Sequence, residues 1–157
     1  MKIKIVFVGK TQKEYLVQGE IEYLNRLKHY LKIEIITIPD LKNAKSLSFQ
    51  EIKEKEGELI LKNLNQSEEV FLLDEKGKQF DSIGLSNFLQ KQFNRGGFSM
   101  VFIVGGPYGF SDEIYKRAKG LISLSNLTFS HQMIRLFFLE QIYRSMTILK
   151  GEPYHHK

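Results

Sequence analysis

Hydrophobic positions along the chain follow two patterns. Short apolar runs, typical of strands buried on both faces, lie at residues 3–8, 33–38, 70–74, 99–104 and 121–124. Between them, apolar residues recur three and four positions apart, which predicts helices at about 13–31, after Ser48, at about 82–93, after Ser111 and at about 131–149. Strands that alternate with helices predict a single α/β domain over residues 1–157, with a mainly parallel sheet and helices on both faces.

Local signals indicate where some of these elements begin and end. Ser48 and Glu51 have the spacing of a capping box, which predicts a helix start. Ser111 precedes two acidic residues, Asp112 and Glu113, whose charges favour the first turn of a helix. We expect the third strand to end in an acidic turn at residues 74–77, which contains Gly77.

The helix predicted at the end of the chain differs from the others because its apolar residues do not form one stripe. A helix that is apolar nearly all round is buried on more than one side. In a domain of about 150 residues, a helix at the chain end is rarely surrounded by its own chain. The pattern therefore favours a two-fold symmetric homodimer over a central helix wrapped by its own chain.

Composition excludes several classes of protein. The chain has no cysteine, which excludes disulfides, thiolate metal sites and cysteine nucleophiles. It has no uninterrupted apolar segment of transmembrane length, and its first residues lack the apolar stretch and cleavage site of a signal peptide. We therefore expect a cytoplasmic protein without a membrane partner.

The net charge of +5 is unevenly distributed along the chain. Residues 1–32 carry +4, residues 33–94 carry −3 and residues 95–157 carry +4. A polyanion such as RNA would dock where two basic ends meet. A general preference for lysine on the surface accounts for the same counts, since lysine outnumbers arginine 18 to 5. Charge alone leaves both interpretations open.

The main candidate for a binding site is the glycine-rich turn that follows the fourth strand, Gly105-Gly106-Pro107-Tyr108-Gly109. Ligands of open α/β sheets bind at the carboxyl ends of strands, and glycines let a ligand approach the backbone. The spacing matches neither a dinucleotide motif nor a P-loop, which favours a nucleoside without phosphates. Leu73 and the loop at residues 124–129 follow two other strands and could line the same site. The alternative is an ordinary strand-to-helix turn with plain connecting loops.

The last residues of the chain, Pro153-Tyr154-His155-His156-Lys157, combine aromatic, imidazole and cationic groups. Such groups suit stacking on a base and contact with phosphate, although terminal residues are often disordered. His131, near the start of the last helix, is a possible general base but is more often a structural residue. The histidines lack the spacing of metal ligands, so we expect no metal.

Several segments, taken in order along the chain, resemble the RlmH family of the SPOUT superfamily, which methylates N3 of a pseudouridine in large-subunit (23S) ribosomal RNA. They are residues 4–10, 55–58, 73–78, 101–109, 124–132, 140–144 and 153–155, so the resemblance covers essentially the whole chain. The resemblance implies a trefoil knot near the C-terminus, an obligate dimer, S-adenosylmethionine as the cofactor and assembled ribosomes as the substrate. It implies cofactor contacts at Leu73, Gly105, Leu124, Ser125, Asn126, Leu127, Thr128 and Phe129.

Methylation of N3, as the resemblance implies it, suggests roles for four further residues. The N3 proton must leave, and the negative charge that develops needs stabilisation. We expect His155 or Glu140 to handle the proton, Arg144 to stabilise the charge, and Tyr154 to stack on or hydrogen-bond to the target base. A purely structural i,i+4 ion pair between Glu140 and Arg144 is equally compatible with the sequence.

Two other functions stay open at this point. One is a different SPOUT-type activity, such as ribose 2′-O or tRNA methylation, and the other is a non-catalytic ribosome-binding module. Cofactor binding separates a pure binding module from an enzyme.

Overall fold

The computed structural model describes residues 1–96 and 99–156. The strands are β1 (Lys2–Val8), β2 (Lys32–Ile38), β3 (Glu68–Gln79), β4 (Ser99–Val104) and β5 (Gly120–Ser123). The helices are α1 (Glu14–Leu27), α2 (Phe49–Lys62), α3 (Ser82–Arg95), α4 (Asp112–Arg117) and α5 (Met133–Leu149). Two short 3-10 helices cover Ala44–Ser46 and Pro153–His155. Lys157, part of the tail singled out above, lies outside the described residues.

The five strands form one sheet in the order β2-β1-β4-β3-β5, and every pair of neighbouring strands is parallel. This arrangement confirms the predicted α/β class. It also places the carboxyl ends of β3, β4 and β5 next to one another, although the chain reaches these points at residues about 20 to 30 positions apart.

Helices cover both faces of the sheet, as predicted. Alternate side chains of β1 point to opposite faces, so Ile5 packs in one apolar cluster and Val6 in the other. The first cluster takes buried residues from α1, α3 and α5, and the second takes them from α2 and α4. Because both faces are covered, the central strands are apolar throughout.

The predicted helix starts at Ser48 and Ser111 are confirmed. Ser48 and the side chain of Glu51 form a reciprocal capping box, and the Ser111 side chain accepts a hydrogen bond from the Ile114 backbone at 3.4 Å. The predicted helix over 13–31 is wrong at its end, since α1 stops at Leu27. The backbone N–H of Tyr30 donates three residues back, to Leu27, which tightens the chain into a turn before β2.

The predicted turn at residues 74–77 is also wrong, because β3 continues to Gln79. An irregularity in its pairing with β5 falls between Leu73 and Lys78, so the acidic residues bulge without ending the strand. Gly77 lies so close to β5 that a Cβ there would be 2.5 Å from the backbone nitrogen of Ile122. Glycine at this position therefore marks a close approach of two backbones and not a turn.

Helix α5 is the central element of its face of the sheet. Phe138, Ile142 and Met146 are fully buried, whereas Met133 and Phe137 are 40% and 43% exposed in the single chain. The homodimer therefore stays a prediction, and so does the trefoil knot. Among the described helices, none is long and apolar enough to cross a membrane.

Candidate functional site

A cavity of about 530 Å³ opens where the carboxyl ends of β3, β4 and β5 meet. Its walls come from residues 73–76 of β3, where the pairing with β5 is irregular, the glycine-rich turn after β4 and the loop between β5 and α5. This is the position at which parallel sheets bind ligands, and the volume suits a nucleoside-sized molecule.

The glycine-rich turn leaves little space for side chains. A Cβ at residue 105 would lie 3.0 Å from the ring of Phe110, and a Cβ at residue 106 would lie 3.1 Å from both carboxyl oxygens of Glu56. Gly109 has φ +82°, a conformation that residues with a Cβ rarely adopt. Its backbone N–H donates to the carbonyl of Gly106 at 3.3 Å, which closes the turn.

Most of the residues expected to contact a cofactor line this one cavity. They are Leu73, Gly105, Leu124, Ser125, Leu127, Thr128 and Phe129. Asn126 differs, because its side-chain oxygen accepts a hydrogen bond from Gln79 at 2.7 Å and it is not among the lining residues. The Ser125 side chain accepts a hydrogen bond from the Leu127 backbone at 3.0 Å, which stabilises the conformation of the loop.

Sequence reasoning missed other residues of the cavity wall. Tyr115 from α4 reaches across to donate a hydrogen bond to Asp74, and both line the cavity. Burial, followed by this hydrogen bond, raises the pKa of Tyr115 and keeps its phenol protonated. His131, considered structural above, also lines the cavity, and burial and the charge of Arg135 lower its pKa. Position alone could have indicated Asp74, since it directly follows Leu73.

Arg135 is a buried residue that connects the loop after β1 with the cavity residue His131. Its side chain is fully buried and donates to the carbonyls of Val8, Gly9 and His131 at 2.6, 2.8 and 3.2 Å. It also donates to the Thr11 hydroxyl at 3.1 Å, and that hydroxyl donates to Glu20. The loop after β1 is thereby tied to the start of α5, where His131 lies.

The four residues expected to act on the target base form a second cluster, between α5 and the C-terminal 3-10 helix. Glu140 accepts hydrogen bonds from Arg144 at 2.5 Å and from Tyr154 at 3.0 Å. The guanidinium of Arg144 lies over the Tyr154 ring at 4.7 Å and is 3.4 Å from Nδ1 of His155. The i,i+4 ion pair considered above is therefore present, and the tail is folded onto α5.

The partners in this cluster restrict what each group can do. One oxygen of Glu140 accepts from Arg144 and Tyr154 and the other accepts from Gln141, so three of its about four acceptor sites are engaged. Burial, then hydrogen bonds with Tyr23 and Glu140, raise the pKa of Tyr154 and keep it a donor. Arginine can only donate, so this contact assigns the neutral lone pair to Nδ1 of His155 and the ring proton to Nε2.

A second cavity, of about 350 Å³, shares part of its wall with the first, since Ile122, Ser123 and Leu124 line both. Of the four residues expected to act on the base, His155 lines this second cavity, whereas Glu140, Arg144 and Tyr154 do not. The neighbouring Gln141 lines it as well. The end of β5 therefore lies between two cavities. The glycine-rich turn lines the first, and the imidazole of His155 and the amide of Gln141 line the second. Among the described residues, no group of three or more potential metal ligands occurs.

An all-parallel open sheet with a nucleoside-sized cavity at its carboxyl edge, lined in part by a glycine-rich turn, defines an α/β protein with a candidate ligand site at its strand ends. The family described as "Predicted SPOUT methyltransferase" matches residues 1–155, and the chain belongs to this family. The family expectation drawn from the motifs is confirmed.

Curated relatives match the full length of the chain. Proteins named "Ribosomal RNA large subunit methyltransferase H" are 56% identical in Parabacteroides distasonis, 55% in Christiangramia forsetii and 54% in Flavobacterium johnsoniae. Each match covers 100% of this chain and 100% of the relative. Among solved structures, the SpoU methyltransferase AviRb from Streptomyces viridochromogenes, in complex with AdoMet, is 9% identical with a TM-score of 0.40. That match covers 96% of this chain and 61% of AviRb.

Proposed function

We propose that this protein transfers a methyl group from S-adenosylmethionine to N3 of a pseudouridine in large-subunit ribosomal RNA, with the assembled ribosome as its substrate. The observation that carries the proposal is full-length similarity to large-subunit rRNA methyltransferases together with the nucleoside-sized cavity at the carboxyl edge of the sheet. We infer a cytoplasmic location, because the proposed substrate is the assembled ribosome.

The residues of the first cavity fit the methyl donor. Leu73, Leu127 and Phe129 offer apolar surface for an adenine ring, and the glycine-rich turn contributes backbone groups to the cavity wall. We assign cofactor contacts to Leu73, Gly105 and residues 124–129, with Asn126 contributing through its backbone because its side chain is engaged by Gln79. The bound cofactor supplies an electrophilic sulfonium methyl, so alignment of the acceptor is the main remaining task.

We assign the acceptor base to the second cavity, because His155 lines it and it shares the β5 wall with the first. Arg144 stabilises the negative charge that develops as N3 loses its proton, and Tyr154 stacks on the base, since its hydroxyl already donates to Glu140. His155 accepts the N3 proton at Nδ1, which frees Arg144 from its 3.4 Å contact with that nitrogen for the developing negative charge. Glu140 is less suited to this step, because its oxygens already accept from three side chains. Glu140 then orients Arg144 and Tyr154.

The working unit we propose is a homodimer. Support comes from α5, where Met133 and Phe137 stay exposed next to Phe129, whose ring lies 5.1 Å from that of Phe137. Burial of such a patch against a second copy removes apolar area from water. Sedimentation equilibrium tests this: Phe137→Glu should dissociate the dimer, whereas Tyr15→Glu, which changes an exposed aromatic residue on α1, should not. A wild-type monomer at micromolar concentration would overturn the dimer.

Methyl transfer tests the function directly. Labelled S-adenosylmethionine is incubated with the protein and ribosomes, free subunits or naked rRNA, and the labelled nucleoside is then identified. We expect label in N3-methylpseudouridine, and with intact ribosomes only. Label in a ribose or in tRNA would replace the proposed reaction, and cofactor binding without transfer to any RNA would contradict it.

The tail residues are tested in the same assay. His155→Ala should reduce turnover by about 100-fold or more, the range seen when a proton-handling group is removed. Tyr154→Ala should reduce it as well, while His29→Ala, an exposed histidine outside both cavities, should not. Wild-type turnover in both tail variants would refute the assignment.

A further inference from the structure

Glu56 is a buried carboxyl group with no role in the reaction described above. It lies on α2, is 9% exposed, and faces the underside of the glycine-rich turn. Both of its oxygens are 3.1 Å from the position that a Cβ on Gly106 would take. The carboxyl group therefore contacts the cofactor wall from the side opposite the cavity.

The surroundings of Glu56 do not suit a charge. Its Oε1 is buried and has no hydrogen-bond partner among the described residues. The space between α2 and the turn has no room for a water molecule, so water cannot supply the missing partner. An ionised carboxylate in such a place loses its hydration without compensation.

The polar and charged groups around Glu56 also favour its neutral form. From the segment after β2, Asp40 adds negative charge. From α2 itself, Lys53 lines the same narrow space, yet forms no ion pair with Glu56 within the described part of the chain. At the start of α4, Ser111 contributes only an uncharged hydroxyl, whose oxygen accepts from the Ile114 backbone and which forms no hydrogen bond with Oε1 of Glu56. Burial first, and then Asp40, raise the pKa of Glu56 to about 7.

We propose that Glu56 is a positioning residue for the cofactor, and that its neutral carboxyl group supports the turn at residues 105–109 in its binding conformation. Ionisation places an unpaired charge directly beneath Gly106 and displaces the turn from the cavity wall. Cofactor affinity is then high when Glu56 is protonated and falls when it ionises. This inference rests on the proposed use of the cavity for S-adenosylmethionine.

The first test measures the dissociation constant for S-adenosylmethionine by calorimetry from about pH 6 to about pH 8.5. For the wild type we expect binding about thirtyfold weaker at the upper end, because pH 8.5 lies about 1.5 units above the pKa of Glu56 and the neutral fraction falls tenfold per pH unit above the pKa. Glu56→Gln keeps the shape without the charge, so its affinity should match the wild type at about pH 6 and stay constant as pH rises. Glu58→Gln, an exposed glutamate on the same helix, should keep the wild-type pH dependence.

A second test uses the contact between Glu56 and Gly106. Gly106→Ala should weaken cofactor binding, because the new Cβ meets the carboxyl oxygens. Adding Glu56→Ala removes those oxygens and should restore part of the affinity, which is a coupling energy in a double-mutant cycle. If the two changes are additive, or if Glu56→Gln shows the same pH dependence as the wild type, Glu56 does not position the turn.

Failure of this inference can be told apart from failure of the proposed function. If the wild type binds no cofactor at any pH, the proposed function fails. In that case thermal stability alone tests whether the carboxyl group of Glu56 is neutral. Because the folded-state pKa of Glu56 lies above the ordinary value of 4.5, its contribution to stability is present below about pH 4.5 and is lost as pH rises through about pH 7. The melting temperature of the wild type should fall relative to that of Glu56→Gln over this range, and parallel curves would refute the neutral carboxyl.

Discussion

Replacing Arg135 with methionine should destabilise the protein and weaken the cofactor site together. The side chain is fully buried, and its guanidinium donates to the carbonyls of Val8 and Gly9 and to the hydroxyl of Thr11. Methionine keeps an unbranched apolar side chain and has no donor, so the change removes the hydrogen bonds and also the contact of the guanidinium with the Phe7 ring. The loop after β1 then loses its connection to α5.

The magnitude follows from two opposing effects. Each hydrogen bond from a charged donor contributes about 1.5–3 kcal/mol, and the bonds to Val8 and Gly9 are short, at 2.6 and 2.8 Å. Against this, methionine avoids the cost of burying a cation, and no described carboxylate forms a direct ion pair with Arg135. Removal of one member of a buried charged network costs about 3–5 kcal/mol overall, and we expect the lower end, about 3 kcal/mol. For a domain of this size that corresponds to a loss of about 6–12 °C in melting temperature.

Urea denaturation, followed by circular dichroism, measures the free energy of unfolding, and calorimetry at a temperature where both proteins are folded measures cofactor affinity. Arg135→Lys keeps the charge but not the planar fork, so its loss should be intermediate. Arg26→Met, which breaks an exposed pair with Glu22, is the matched control and should leave the midpoint unchanged. If Arg135→Met unfolds at the wild-type midpoint, the buried guanidinium does not hold the loop to α5.

Three further predictions concern the sheet and the C-terminal tail. Gly77→Ala should cost more than about 3 kcal/mol, because its Cβ would meet the β5 backbone at 2.5 Å. Gly120→Ala, whose Cβ would meet only the Phe71 ring at 3.4 Å, should cost little, and equal losses in thermal melts would contradict the close approach. Lys4→Met leaves Glu68 buried without its 2.6 Å ion-pair partner and should cost about 3–5 kcal/mol, whereas the double change with Glu68→Leu should recover most of it. Recovery is measured by urea denaturation, and a double variant no more stable than Lys4→Met would show that the ion pair is not the cause. Tyr154→Phe should lower turnover on ribosomes less than Tyr154→Ala, since it keeps the ring beside Arg144 and loses only the hydroxyl bonds with Glu140 and Tyr23. Equal losses would show that the hydroxyl group is what matters.

Local sequence signals were sufficient for most of the secondary structure. The capping box at Ser48 and the cap at Ser111 act within four residues, so a linear pattern contains all that is needed to predict them. The strands of the sheet interior are apolar on both faces, and this makes β4 recognisable without any knowledge of its neighbours. The glycine-rich turn was found for the same reason, as a cluster of unusual residues directly after a strand.

Long-range contacts decided the parts that were predicted wrongly. The pattern at residues 74–77 is polar with a glycine, as in a turn, but pairing with β5 keeps it in the sheet and requires the glycine. The Glu140 and Arg144 pair was visible as an i,i+4 spacing. Its place in a cluster with Tyr154 and His155 depends on the tail folding back onto α5.

The sequence by itself determined the class of fold, the family and the candidate residues, because these are written in local periodicity and in short motifs. Only the tertiary structure decided which strand ends are neighbours. The order β2-β1-β4-β3-β5 brings Leu73, Gly105 and Leu124 to one cavity and places Glu56 beneath its glycine wall. Periodicity reports how deeply each residue is buried, but the partners of a buried residue are set by packing across the whole chain, and the site is made of those partners.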